Sequence, residues 1–373
     1  MTRFPNLALC GSPSRAIAVL AILFGAICLA GCSRGDSSRA SKKGQRIVIL
    51  TNVPDPFWDT CEAGANAAQR DLKLADDGIS VSVEQNTKGV QGQIQRLREW
   101  AGDPSIVAVA VSVTEPDNTA LIDAIDALGE QGIKVITIDS DVDRDNPAFR
   151  EVRYGYIGTD NVTAGEELGK AAKALLPEGG KFATFVGNKS QANAIQRDQG
   201  FKQGAGDSFE QVDFLADAVD PSKARQNVHD VFSRHNDLAL LVGLWAYNPP
   251  AIADVVAQRG VGNEVTVVGF DAAPLALSAM GEGRIEALLV QDPYQMGYLG
   301  VKTLKALLDD DRTALTEVFP KHGETDGDIH LTNLKVVVPA DSPLEKSIFL
   351  ESTQFFSLDE FNAWLKENNL TGS

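Results

Sequence analysis

From residue 46 onward this 373-residue chain alternates between two patterns. Compact runs of apolar, largely β-branched residues, such as 46–53 (RIVILTNV) and 134–139 (KVITID), are separated by longer segments with apolar side chains every three to four positions. Runs of the first kind suit strands buried on both faces. Segments of the second kind suit helices that cover a sheet with one side. Strands are therefore predicted at 46–53, 79–85, 106–113 and 134–139, with a short extended piece at 154–157. A second cycle gives strands at 181–186, 212–216, 238–244, 265–271 and 287–291. Helices fill the gaps at 57–74, 90–101, 119–131, 161–176, 191–206, 221–235, 249–259, 274–282 and 294–309. Two such cycles predict an α/β chain of two doubly wound parallel-sheet lobes.

In this architecture ligands bind beyond the carboxyl ends of the strands, so the residues that follow each strand carry the functional information. After the first strand stand Asp55, Phe57 and Trp58; after the fourth, Asp139 and Ser140. The second cycle offers Arg197 on a helix, then Trp245, Tyr247 and Asn248, then Asp271, then Gln291. Acids, an arginine, amides and aromatic rings at one sheet edge suit a sugar ring. Planar polar groups take its hydroxyls, with charge-assisted bonds the strongest, and aromatic rings cover its apolar faces.

Six stretches in order carry a resemblance: TNVPDPFWD (51–59), KVITIDSD (134–141), YIGTDN (156–161), QRDQGF (196–201), VVGFDAAP (267–274) and VQDPYQMG (290–297). With them the chain resembles, over roughly residues 45–340, the ribose/galactose type of periplasmic sugar-binding proteins, whose fold is shared with lactose-repressor effector domains. The resemblance implies two lobes joined by three crossings, near 158–161, 290–293 and 328–334, and closure around the ligand. It implies Phe57 and Trp58 as stacking aromatics, and Asp55, Asp139, Arg197, Asp271 and Gln291 as polar ligand contacts. Ser112 or Thr114 takes the polar position after the third strand. The chain also departs from the family pattern. Ser140 stands where an arginine is usual, Val219 where the second lobe has an aromatic ring, and Trp245-Ala246-Tyr247-Asn248 where Asn-Asp is usual. Trp245 and Tyr247 are candidates for the displaced stacking role. These departures argue against ribose itself within a sugar-like class.

Other chemistries fit less well. The formal charge of −17, from 34 basic and 51 acidic residues, lacks the basic footprint of a nucleic-acid binder. The acids at 141–145 have calcium-loop spacing, but Asn146 and Val152 occupy the positions that need glycine and glutamate, so no metal is expected. Gly187-Asn188-Lys189-Ser190 lacks the upstream glycine of a phosphate-binding loop. No nucleophile–base pair is visible, so neither catalysis nor a cofactor is expected. Cys61 reads as a small buried residue.

The N-terminus reads as an address. Arg3 and Arg15 precede fifteen uncharged residues, 16–30, too short for a membrane span of ~20 residues and suited to a signal-peptide core. The run closes on Leu29-Ala30-Gly31-Cys32, which resembles a bacterial lipobox with Cys32 as the lipidated residue. The expected organisation is a lipoprotein signal peptide at 1–31 and a tether at 32–45. An N-terminal lobe follows from 46–158 and 292–330, a C-terminal lobe from 159–291 and 331–340, and an extension at 341–373. A capping box at Ser357–Glu360 is expected to open a helix through Asn368. The function expected is capture of a monosaccharide-like ligand by a lipid-anchored, monomeric, extracytoplasmic protein that hands it to an ABC permease. A receptor feeding a sensor kinase or chemoreceptor is the alternative.

Overall fold

The computed structural model describes residues 44–372. The predicted signal peptide, Cys32 and all but the last two residues of the predicted tether lie outside the described residues. Gln45, expected in the tether, instead opens the first strand. Strands are numbered in chain order: β1 Gln45–Leu50, β2 Ile79–Glu84, β3 Ile106–Val111, β4 Lys134–Ile138 and β5 Tyr156–Gly158. The second cycle is β6 Gly180–Val186, β7 Phe209–Ala216, β8 Leu238–Gly243, β9 Thr266–Phe270 and β10 Ala287–Val290. Three further strands follow, β11 Ile329–Leu331, β12 Lys335–Val338 and β13 Gln354–Ser357.

Six strands form one parallel sheet in the order β11-β5-β4-β3-β1-β2. Seven form the other, β13-β12-β10-β9-β8-β6-β7. The period-two rule is visible in the first sheet: Ile47, Ile49, Ala108, Ile136 and Ile138 pack on one face, and Val48, Leu50, Val109 and Val135 on the other. Each buried isoleucine, valine or leucine among them stabilises the fold by about 1.5–3 kcal/mol relative to exposure. Among the described residues, no helix is long and apolar enough to cross a membrane.

One difference from the expected all-parallel sheets is the antiparallel pairing of β12 with β10. Apart from β12 and β13, which run the other way, the strands of both lobes point their carboxyl ends at the space between the sheets. A chain that leaves β11 there and enters the second sheet directly must run away from that space. The other two crossings avoid this by entering a helix first, Asn161–Leu175 and Pro293–Asp309. The segment from 341 onward, expected as an extension, is built into the second sheet. β13 pairs with β12, and the capping-box helix Leu358–Glu367 lays Phe361 and Leu365 into that lobe's core.

The helices that carry the strand-end chemistry approach their neighbours very closely. A Cβ at Gly200 would lie 2.0 Å from the Val162 carbonyl oxygen, and one at Gly297 would lie 2.0 Å from that of Cys61. Glycine lets backbone meet backbone at both crossings. The lobes touch across the cleft, where Asn52 Nδ2 donates to Gln191 Oε1 at 3.3 Å. Thr60 Oγ1 also donates to the Gly372 carbonyl at 2.7 Å, so the end of the chain reaches the first helix of the other lobe.

Candidate ligand-binding site

Two aspartates sit at matching places, one at the end of each sheet's central region. Asp139 follows β4 with φ 62°, and Asp271 follows β9 with φ 63°. Few residues with a Cβ adopt this left-handed backbone, and aspartate is one of the tolerated ones. The Asp139 carboxylate accepts from Ser112 Oγ at 2.9 Å and from Asn52 Nδ2 at 3.4 Å. The Asp271 carboxylate accepts from Gln291 Nε2 at 3.0 Å. Gln291 Oε1 in turn accepts from Thr159 Oγ1 at 2.9 Å, tying two crossings together. At the third crossing, Thr332 N donates to the Gly158 carbonyl at 2.8 Å, and buried Lys335 donates to Asp292 Oδ2 at 2.6 Å.

Arg197 stands on the helix Ala192–Ala205 and is 1% exposed. Its Nε donates to Asn161 Oδ1 at 2.9 Å, and its Nη1 donates to the Leu244 carbonyl at 2.8 Å. Its guanidinium lies 4.5 Å from the Phe270 ring centre, and Nη1 is 4.0 Å from Asp271 Oδ2. Neutral acceptors thus hold most of this cation. Its Nη2 has no hydrogen-bond partner among the described residues, nor do Trp245 Nε1 and Asn193 Oδ1.

Asp55 completes the set. One of its oxygens accepts from the Phe57 backbone amide at 2.9 Å, as a turn residue before the helix Phe57–Asp71. Phe57 and Trp58 meet edge to face with ring centres 5.1 Å apart. Desolvation pushes the Asp55 carboxyl up to about 7; the Phe57 amide opposes this, the Asp271 and Asp139 charges add to it, and Arg197 opposes it. Desolvation pushes Asp139 up to about 6 against the pull of Arg197 and Ser112, and raises Asp271 as well.

Asp55, Phe57, Trp58, Asp139, Arg197, Trp245, Asp271 and Gln291 line one narrow cavity between the lobes, of about 30 Å³. Four of the predicted site residues stand elsewhere. Ser112 sits behind Asp139 and orients it. Thr114 does not line the cavity: its amide donates to Gln93 Oε1 at 3.0 Å and its hydroxyl to the carbonyl of Asn52, which does, at 3.5 Å. Tyr247 and Asn248 are engaged with Asp217, at 2.5 and 2.9 Å, because the turn after β8 folds them back onto the second lobe. Trp245 alone of that turn's aromatic pair reaches the wall. Val219 packs at the edge of the second lobe's core.

Sequence reasoning missed Asn52, Val53, Asn193 and Ala246, which also line the cavity. Asn193 was accessible in principle: it lies four residues before Arg197, on the same helix face. Asn52 lies inside the strand-end motif 51–59, where nothing in the sequence sets the amide apart from the acid and rings beside it.

A family model described as a periplasmic binding protein domain matches residues 46–312. The chain is 24% identical to the ribose import binding protein RbsB of Escherichia coli strain K12, over 79% of this chain and 93% of that one. It is 25% identical to the D-allose-binding periplasmic protein of the same organism, over 72% and 86%. Among solved structures, an ABC transporter solute binding protein from Burkholderia graminis in complex with D-arabinose superposes with a TM-score of 0.68. It is 25% identical and covers 80% of this chain and 96% of its own.

Proposed function

Because the chain belongs to the periplasmic binding protein family, we propose that it captures a monosaccharide-sized polyol between its lobes and delivers it to an ABC permease. The observation that carries this reading is the convergence of Asp139 from one sheet and Asp271 from the other on one cavity, with Arg197 and three aromatic rings around them. Such a wall can grip hydroxyls and cover the apolar faces of a ring. The crossings tied by Gln291 and Thr159 lie beside this cavity, which supports lobe closure and ligand capture as one event.

A thermal-shift screen of pentoses, hexoses and polyols tests the proposal, because a ligand that binds only the folded state raises the melting temperature. At least one is expected to do so. In calorimetry with that ligand, Asp271→Ala should cost roughly 1.5–3 kcal/mol of binding, the range for hydrogen bonds to charged groups. A panel with no stabilising member, or an unchanged affinity for Asp271→Ala, would overturn the assignment. Uptake of labelled ligand by cells with and without the gene separates transport from sensing: unchanged uptake would favour a receptor that feeds a kinase or chemoreceptor.

We propose further that the monomeric body is held at a membrane through lipid on Cys32. The support is the order of basic residues, apolar core, small residues and cysteine at its N-terminus. Cys32→Ser is expected to move the protein into the soluble fraction after cell fractionation. Retention in the membrane fraction would refute lipid anchoring at that residue.

A further inference from the structure

The charges on the cavity wall do not balance. Asp55, Asp139 and Asp271 face it, and Arg197 is the one cation among the described residues that line it. Two of the three carboxylates have their own donors: Ser112 and Asn52 serve Asp139, and Gln291 serves Asp271. Asp55 takes a single backbone amide on one oxygen, through Oδ1. A buried carboxylate without a counter-charge is costly, so an arrangement of this kind calls for a cation or a proton when it closes.

The uncommitted groups point the same way. Asn193 Oδ1 is an acceptor with no donor, on a residue 4% exposed. Arg197 Nη2 and Trp245 Nε1 are donors with no acceptor, on residues 1% and 5% exposed. A ligand that satisfies all of them offers acceptor oxygens on one side and an N–H-rich group on the other. The aromatic rings of Phe57, Trp58 and Trp245 on the same wall suit a cation as well as a sugar face. The adjoining compartment shares Asp139 and Asn193 with the cavity and adds Asp117, Asp143 and Asp145. Its own Arg144 is already paired with Asp141 at 2.9 Å. An approach lined by acids raises the local concentration of cations.

We propose that the ligand is a polyol carrying one ammonium group, an amino sugar or aminopolyol, with its nitrogen held between Asp55 and Asn193. The proposal rests on the sugar-capture reading and narrows it. The full-length body would be titrated calorimetrically with matched pairs at one pH near neutrality: D-glucosamine with D-glucose, D-galactosamine with D-galactose, and D-mannosamine with D-mannose. N-acetyl derivatives keep the nitrogen and remove the charge. In at least one pair the amine should bind at least tenfold more tightly than both its neutral partner and its N-acetyl form. Asp55→Asn keeps the shape and a hydrogen-bonding oxygen while removing the charge, and should bring that ratio close to one. Its unfolding transition, measured in parallel, should stay cooperative. If neutral sugars bind as well as or better than the amines, the cationic ligand is refuted and sugar capture stands. If no member of any pair binds while a pentose or polyol stabilises the protein in the thermal-shift screen, the amino-sugar proposal fails and sugar capture stands; if nothing in that screen binds either, both readings fail. A preference for the amine that survives Asp55→Asn would remove Asp55 from the role.

Discussion

Arg197→Leu is expected to lower the stability of the ligand-free body by about 3–5 kcal/mol at pH 8, the cost of leaving buried charge uncompensated. It is also expected to abolish ligand capture. The guanidinium opposes the upward shift of both Asp55 and Asp139. The pH dependence distinguishes this cause from lost packing on Phe270. A carboxyl whose pKa is raised by folding keeps its proton in the folded chain where the unfolded chain has released it. Stability therefore falls as pH rises through that window. The window runs from the ordinary value of 3.8 up to about 7 for Asp55 and about 6 for Asp139. Without Arg197 both upper limits climb, so the loss should be small near about pH 4.5 and much larger at about pH 8. Urea denaturation at the two pH values measures it. Equal losses at both would show that leucine fails by shape alone.

Gly200→Val is expected to be damaging too, at or beyond the upper end of the ~1–3 kcal/mol typical of overpacking. The atom that a side chain at 200 would strike is the Val162 backbone carbonyl, and at Gly165 it is the Arg197 carbonyl, 2.3 Å away. Backbone within a hydrogen-bonded helix cannot rotate aside as a side chain can. The helix would be pushed outward, and it carries both Arg197 and Asn193. Any folded fraction should therefore have lost ligand affinity as well. Gly129→Ala is the matched control, since a Cβ there meets open space within a helix. It should stabilise by about 0.5–1 kcal/mol by removing backbone freedom from the unfolded chain. Thermal melts of the two variants decide the matter: a Gly200→Val protein that melts with the parent would show that the helix pair is free to spread.

The strands and helices of both cycles were legible because the sheet is buried on both faces, which writes each strand as an unbroken apolar run. The runs overshoot at their ends. Val53 and Val113 prolong the pattern beyond β1 and β3, yet both lie past the last ladder position, where apolar residues line the cleft or its support. The late strands were harder to see. β11 has three residues, β12 four and β13 four, too few to show a period. Their pairing is decided by where the crossing delivers the chain, which is a property of the assembled lobes. Within the site, the acids and rings at strand ends, and the arginine on the helix that follows β6, were legible because carboxyl ends of strands from both sheets meet at one cavity. Tyr247 and Asn248 show the limit of that rule. They follow a strand as closely as Trp245 does, but Asp217, brought from the neighbouring β7 turn, draws both inward. A partner thirty residues away leaves no local trace.

The left-handed backbone at Asp139 and Asp271 bears on how such a protein can change over generations. Glycine, asparagine and aspartate fill such a position at low cost, whereas a β-branched or bulky apolar residue there is strained. Asparagine is one base change away from aspartate and has nearly the same outline. Where a polar side chain must also be kept, inheritance at these two positions is funnelled into a choice between a charged form and its neutral twin. A lineage can move the net charge of its binding cleft by single steps without rebuilding the scaffold, and each step leaves a foldable intermediate. Diversification of ring size or substituents must then come from neighbours on ordinary backbone. A directed-evolution library aimed at a new ligand should concentrate its variation there and offer positions 139 and 271 only the two alternatives.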